Sequence, residues 1–267
     1  MTRRPSGRRV AAAISSIFVA LLVLSSAPPP VRASAATDAE SLIVNLINGK
    51  RAAVGLRPLR RHSDLAAIAG TRASRMAANN VLDHSIGGDL GAQFDAADVT
   101  WYSYGEAIGY SSRAWADAAA RQLFDTWMAS APHRALLLSS KFNYVGVGLA
   151  LRTSNSRTFG TVVLSESLDE NGARSWVVDV DTMGDDIRWS WAGADLPLQT
   201  HTAGLRDFDV QVRRGDAPWT TIRNDTTATS ATLWNKTRGV TYGMRLRATD
   251  RRGNVGAWTA ESRVTLP

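Results

Sequence analysis

The 267-residue chain has no cysteine and only four histidines, and its lysines stop at Lys50, Lys141 and Lys236. Without cysteine there is no disulfide framework, no thiol nucleophile and no lipid-attachment site. Any fold must therefore rest on its buried cores alone. No Gly-x-Ser-x-Gly elbow occurs, nor any phosphate-loop or dinucleotide fingerprint. Beyond residue 35 no apolar run is long enough to span a bilayer. The length leaves room for one large or two modest domains.

Residues 1–35 read as a secretion signal. Arg3, Arg4, Arg8 and Arg9 give a basic start, Val10 to Leu24 an apolar stretch, and Ala33-Ser34-Ala35 a small-residue cleavage site. The alternative, an uncleaved anchor, meets an apolar stretch that is short for a span. Cleavage would lower the formal net charge from +7 to +2. Up to Arg174 the remainder holds 14 basic and 13 acidic residues, and after it 12 and 11. A nucleic-acid partner, which needs a clustered basic face, is not expected. Membrane contact is expected only during secretion, and a monomer is expected in solution.

Two modules follow. Thr37 and Glu40 predict a capping box ahead of a helix to about Val54, with Leu42, Val44, Leu46 and Ile47 among its buried positions. A second helix is predicted from Ser63-Asp64 to about Ala78, through Leu65, Ile68, Ala69, Arg72 and Met76. Residues 86–104, rich in glycine and aspartate, read as a long loop at the rim of a cleft. A further helix is predicted over Ala114 to Met128, with Trp115 and Trp127 as core. Val145 to Leu151 and Thr158 to Leu164 read as strands. Residues 168–174 have linker composition. About seven short strands are expected beyond them, separated by turns such as Gly215-Asp216 and Arg252-Gly253-Asn254.

Three phrases carry the chemistry: Asp83-His84-Ser85, Gly105-Glu106-Ala107-Ile108, and Trp127 through Ser130 to His133-Arg134. Two imidazoles and a carboxylate, if folding unites them, could bind a divalent metal or share protons. With Leu42-Ile43-Val44-Asn45, Asn48, Arg51, Gly55-Leu56-Arg57-Pro58-Leu59, Asp64-Leu65-Ala66, Ala77 and Gly146-Val147-Gly148, these phrases make residues 38–166 resemble the secreted CAP superfamily. That superfamily groups cysteine-rich secretory, antigen 5 and pathogenesis-related proteins; the likeness here is to the cysteine-free bacterial, SCP-like branch. Gly239-Val240-Thr241-Tyr242, Arg245 to Ala248 and Gly253 to Trp258 resemble the late strands of a fibronectin type III module, with Tyr242 as its tyrosine-corner residue.

The resemblances imply an α+β protein: a three-layer α-β-α CAP sandwich followed by an immunoglobulin-like, fibronectin type III-like β-sandwich. The expected organisation is signal 1–35, CAP domain 36–170, linker end 171–174 and sandwich 175–267. In the family a cleft is lined by two histidines and up to two acids. The correspondence gives His84, Glu106 and His133 as expected metal ligands (zinc, for example) and as catalytic candidates. Ser130 stands where many members carry the second acid, and Ala107 where asparagine is common. Ser130 could equally cap the helix that Pro132 helps begin, and Glu106 could cap loop amides. A triad of Ser130, His133 and Glu106 is conceivable.

Three functions remain open at this point. One is a secreted, non-catalytic protein, released or wall-associated, that binds a lipid, sterol or wall component along Ile86, Leu90, Phe94, Trp101 and Tyr102. Another is a metal-dependent hydrolase of peptide or wall material. The third is an adhesion protein using the sandwich, where Trp189, Trp219, Trp234 and Trp258 serve either as core or as a sugar-stacking face. His201 lies in a polar turn with no partner nearby in sequence, and Asn224 and Asn235 begin N-glycosylation patterns.

Overall fold

The computed structural model describes residues 31–114 and 117–267, with side chains from residue 38. Most of the predicted leader and Trp115 lie outside the described residues. No helix among the described residues is long and apolar enough to cross a membrane.

The first module is a mixed four-stranded sheet with helices on both faces. Strand order is β1-β3-β4-β2, for β1 (Arg60–Arg61), β2 (Ser103–Ser111), β3 (Tyr144–Arg152) and β4 (Arg157–Glu166). β1 runs parallel to β3, and the other pairs are antiparallel. Alternation along β4 builds the three layers. Val162 and Leu164 face α1 (Val31–Ala53) and α4 (Asp117–Ala129), whereas Val163 faces α2 (Ser63–Asn79) and α3 (Leu90–Ala96). α1 begins before Thr37, so the predicted capping box does not start it. Glu40 instead accepts a hydrogen bond from Leu149 N at 3.1 Å, tying the helix to β3.

Two glycines let α2 lie directly on the sheet. A Cβ on Gly146 would sit 2.1 Å from the Leu65 carbonyl carbon, and one on Gly148 2.1 Å from Gly70 N. The Gly-Val-Gly phrase is therefore a backbone contact, with Val147 facing the opposite core. Arg51 is fully buried. Its guanidinium donates to the carbonyls of Arg57, Leu137, Ser139 and Phe142 at 2.8–3.3 Å, clamping the loop after α5 (Ala131–Leu137). Burial lowers its pKa to about 10.

Seven strands form the second module: β5 (Arg174–Met183), β6 (Asp186–Ala194), β7 (Leu205–Arg214), β8 (Thr220–Thr226), β9 (Ser230–Leu233), β10 (Thr241–Asp250) and β11 (Ser262–Thr265). Sheets β5-β6-β9 and β11-β10-β7-β8 enclose Ile187, Trp189, Trp191, Phe208, Val210, Met244 and Leu246. Tyr242 is the expected tyrosine corner: its hydroxyl accepts from Thr237 N, five residues upstream, at 3.1 Å. The sugar-stacking alternative does not survive for Trp189, while Trp219 and Trp258 are half-buried beside arginines. Trp189 is 1% exposed in the core. Arg213 and Arg245 lie 4.6 and 4.4 Å from the Trp219 ring, and Arg245 and Arg247 each 4.7 Å from the Trp258 ring. Trp234 alone of the four is largely exposed, at 65%.

The modules are docked. Within the segment of linker composition, Asp169 and Ala173 are 2% and 1% exposed. The β6–β7 connection reaches back to the first module. There Leu198 enters the core of Leu65, Tyr144 and Val163, Gln199 Oε1 accepts from Arg57 N at 2.8 Å, and Thr200 O accepts from Asn143.

Candidate functional site

Glu106 is not a loop residue. It lies within β2, opposite Val163 of β4, and its side chain is 6% exposed. Its position on a rigid strand fixes the carboxylate, and three donors take up its oxygens. Arg72 Nε donates to Oε1 at 2.5 Å and Nη2 to Oε2 at 3.2 Å, while His84 Nδ1 meets Oε2 at 2.7 Å. No capping bond from Glu106 to loop amides is formed. Arg72 itself, 1% exposed on the inner face of α2, also donates to the carbonyls of His84 and Gly88 at 2.5 and 3.3 Å. One buried guanidinium thus ties together helix, strand and the loop that carries His84.

With Nδ1–H turned to Glu106, the His84 ring presents Nε2 outward, and its side chain is 59% exposed. His133 lies on α5, whose N-cap position is Ser130 with Pro132 in the first turn. Ser130 takes the extended conformation of an N-cap but makes no side-chain capping bond. His133 Nδ1 is buried without a hydrogen-bond partner among the described residues. Burial first, and then the charge of nearby His84, lower the His133 pKa below its ordinary value, favouring the neutral imidazole that a metal requires. The trio does not gather as three ligands: the one group among the described residues with three donor atoms mutually within 4.8 Å is Asp169, Asp195 and Asp250. Nothing links Ser130, His133 and Glu106 as a relay, since Glu106 is engaged by Arg72 and His84 and His133 Nδ1 has no partner.

A cleft of about 540 Å³ opens over this pair, lined by His84, Ser85, Gly88, Asp89, Leu90, Tyr104, Gly105 and Glu106. The predicted loop 86–104 contains a helix, α3, capped by Asp89 Oδ1 accepting from Ala92 N at 2.8 Å. Of the expected groove residues, Leu90 lines the cleft although only 7% exposed, Phe94 is core at 0% exposure, and Ile86 packs against another core cluster. Tyr104, 37% exposed, packs edge-on against Trp101 at 5.0 Å and Phe94 at 5.6 Å, giving the cleft an aromatic wall. Beside it, Tyr102 stacks on His201 of the second module at 4.7 Å, and His201 Nε2 meets Glu166 at 3.1 Å. His201 therefore does find partners, across the module boundary.

Arg72 was missed as a site residue because it reads as one more position on the α2 stripe. The signal was present: an arginine in register with Leu65, Ile68, Ala69 and Met76 is buried and must have an acid.

Residues 44–165 match the cysteine-rich secretory protein family, CAP. The first module thus carries the match to that family without any cysteine, and a fibronectin type III-like β-sandwich follows it. Among solved structures, an extracellular SCP-domain protein from Bacillus anthracis is 25% identical over 49% of this chain and 41% of its own, with a TM-score of 0.42. A cysteine-rich secretory protein from Staphylococcus aureus is 27% identical over 49% of this chain and 39% of its own, with a TM-score of 0.39. The match thus spans about two fifths of the length of either protein. An Fn3-like protein from Clostridium thermocellum is 19% identical over 37% of this chain and 96% of its own, with a TM-score of 0.28. No curated protein matches the chain.

Proposed function

We propose that the protein is secreted and acts as a non-catalytic binding protein, its CAP cleft taking an extracellular ligand with an apolar body and a polar head. A lipid, a sterol or a cell-wall component has this character. The carrying observation is that both oxygens of Glu106 are held, by Arg72 and by His84. Three donors fill three of the roughly four lone-pair sites of this carboxylate, and with its side chain only 6% exposed it offers little access to a water that a general base would deprotonate. Ser130 supplies no second acid, so paired-carboxylate chemistry has no partner here. The remaining parts suit binding: an aromatic wall at Tyr104, backed by Trp101, and polar groups at His84, Ser85 and Asp89. The basic, apolar start of the sequence and the extracellular description of the B. anthracis protein support secretion.

In this reading His84 and His133 would be the ligands of a divalent metal, with Glu106 as the group that orients His84. A ligating histidine commonly donates its other N–H to a carboxylate, as His84 does here. Such an ion would supply positive charge to the polar head of the ligand.

The test is fluorescence polarisation with a labelled sterol and a labelled fatty acid, together with co-sedimentation with purified peptidoglycan. Saturable binding to one of these, weakened about tenfold by Tyr104→Ala, is expected. Turnover of peptide or peptidoglycan by the wild type, abolished in a folded Glu106→Gln variant, would overturn the reading in favour of a hydrolase.

A further inference from the structure

Away from the cleft, three carboxylates from separate segments meet where the two modules join. Asp169 lies just after β4, Asp195 directly after β6, and Asp250 ends β10. One oxygen of each lies within 4.8 Å of the others. All three are shut off from water: the Asp169 and Asp195 side chains are 0% and 1% exposed, and Asp250 is 0% exposed.

Backbone and side-chain donors fix each group. Asp250 accepts from Arg252 N, Asn254 N and Asn254 Nδ2 at 2.7–2.9 Å. Asp169 accepts from Arg60 Nη1, Asn171 N and Ala203 N at 3.1–3.2 Å, and from the Tyr144 hydroxyl at 3.4 Å. Asp195 Oδ2 accepts from Gly204 N at 2.6 Å. Asp195 Oδ1, though buried, has no hydrogen-bond partner among the described residues, and Arg60 Nη2 stands 3.9 Å away, beyond bonding range.

A buried, unbonded carboxylate oxygen beside two more carboxylates is costly. Arg60 offsets one of the three charges. Arg206 bears on Asp250 from farther off, but its own bond goes to Asp207 and its head is 44% exposed. About two negative charges remain in a dry junction, and either a proton or a divalent cation would neutralise them. Burial and the neighbouring Asp169 charge do hold the Asp195 carboxyl above its usual range. The donor set is all oxygen and anionic, which suits a hard cation such as calcium over zinc.

We propose that Asp169, Asp195 and Asp250 form a calcium site that locks the CAP domain to the β-sandwich. The unpaired Asp195 oxygen would become a ligand, and residues from both modules would share one ion.

Terbium luminescence on the EDTA-stripped full chain tests it. Tyr144, hydrogen-bonded to Asp169, would sensitise a bound terbium ion. One-to-one emission that calcium displaces is expected, with loss of binding in Asp195→Asn. Tyr144→Phe should lose emission but keep calcium binding by calorimetry, which locates the site even if Asp195→Asn does not fold. At calcium about 100-fold above Kd the wild-type Tm should rise by roughly 5–10 °C. No saturable calcium or terbium binding by the folded wild type would overturn the proposal, as would undiminished binding in a folded Asp195→Asn. A calcium-insensitive wild type with a more heat-stable Asp195→Asn variant would point to the proton instead and equally refute the site.

Discussion

Arg72 and Glu106 form a buried ion pair in two-point contact, and the floor of the CAP cleft is assembled on it. Arg72→Met would leave Glu106 charged, buried and without its cation. The expected loss is about 3–5 kcal/mol in denaturant unfolding. Adding Glu106→Gln should cost less than the sum of the two single changes, because each variant alone strands the other partner.

The Gly-Val-Gly phrase of β3 is explained by contact with α2. Gly148→Ala should cost more than about 3 kcal/mol or abolish folding, because helix backbone lies where the methyl group would go. Gly49 in α1 has open space around the Cβ position, so Gly49→Ala should stabilise by roughly 0.5–1 kcal/mol. Paired urea titrations would measure both.

Leu198 of the β6–β7 connection is buried in the first module's core, so the two modules are expected to unfold as one cooperative unit. Leu198→Ala should cost about 2–5 kcal/mol, and calorimetry should then resolve two transitions where the wild type shows one.

In the sandwich, hydrogen bonds from Arg213 and then Arg263 hold the Glu261 pKa at about 2, against an ordinary 4.5. A carboxylate with a lowered folded pKa stabilises above its unfolded pKa, and that stability is lost as pH falls through the folded value. The wild type should therefore be more stable than Glu261→Gln at pH 6. The gap should narrow between about pH 4.5 and 2, as followed by circular dichroism melts.

Much of this was legible in the residues themselves. Period-3.6 and period-2 patterns placed α2, α4, β3, β4 and most sandwich strands, because each has one face committed to a core. β2 escaped notice: in Ser103–Ser111 the glycines and the Glu106 charge hide the alternation. α3 was hidden for a similar reason, being only seven residues long amid glycine and aspartate. Within the site, His84, Glu106 and His133 were found from their phrases, whereas Arg72 and the junction carboxylates were not. Their partners lie 26 or more residues away, and only the folded chain brings a helix arginine to a strand acid, or Asp169 to Asp195 and Asp250.

The role given to Glu106 is tested most directly by calorimetric zinc titration of the metal-stripped protein, His84→Ala/His133→Ala and Glu106→Gln, each verified as folded. If Glu106 orients His84 without ligating, binding should be one-to-one in the wild type and lost in the double-histidine variant. In Glu106→Gln it should be weakened only about 10–100-fold. Absence of zinc binding by the wild type, or complete loss in Glu106→Gln, would contradict the orienting role.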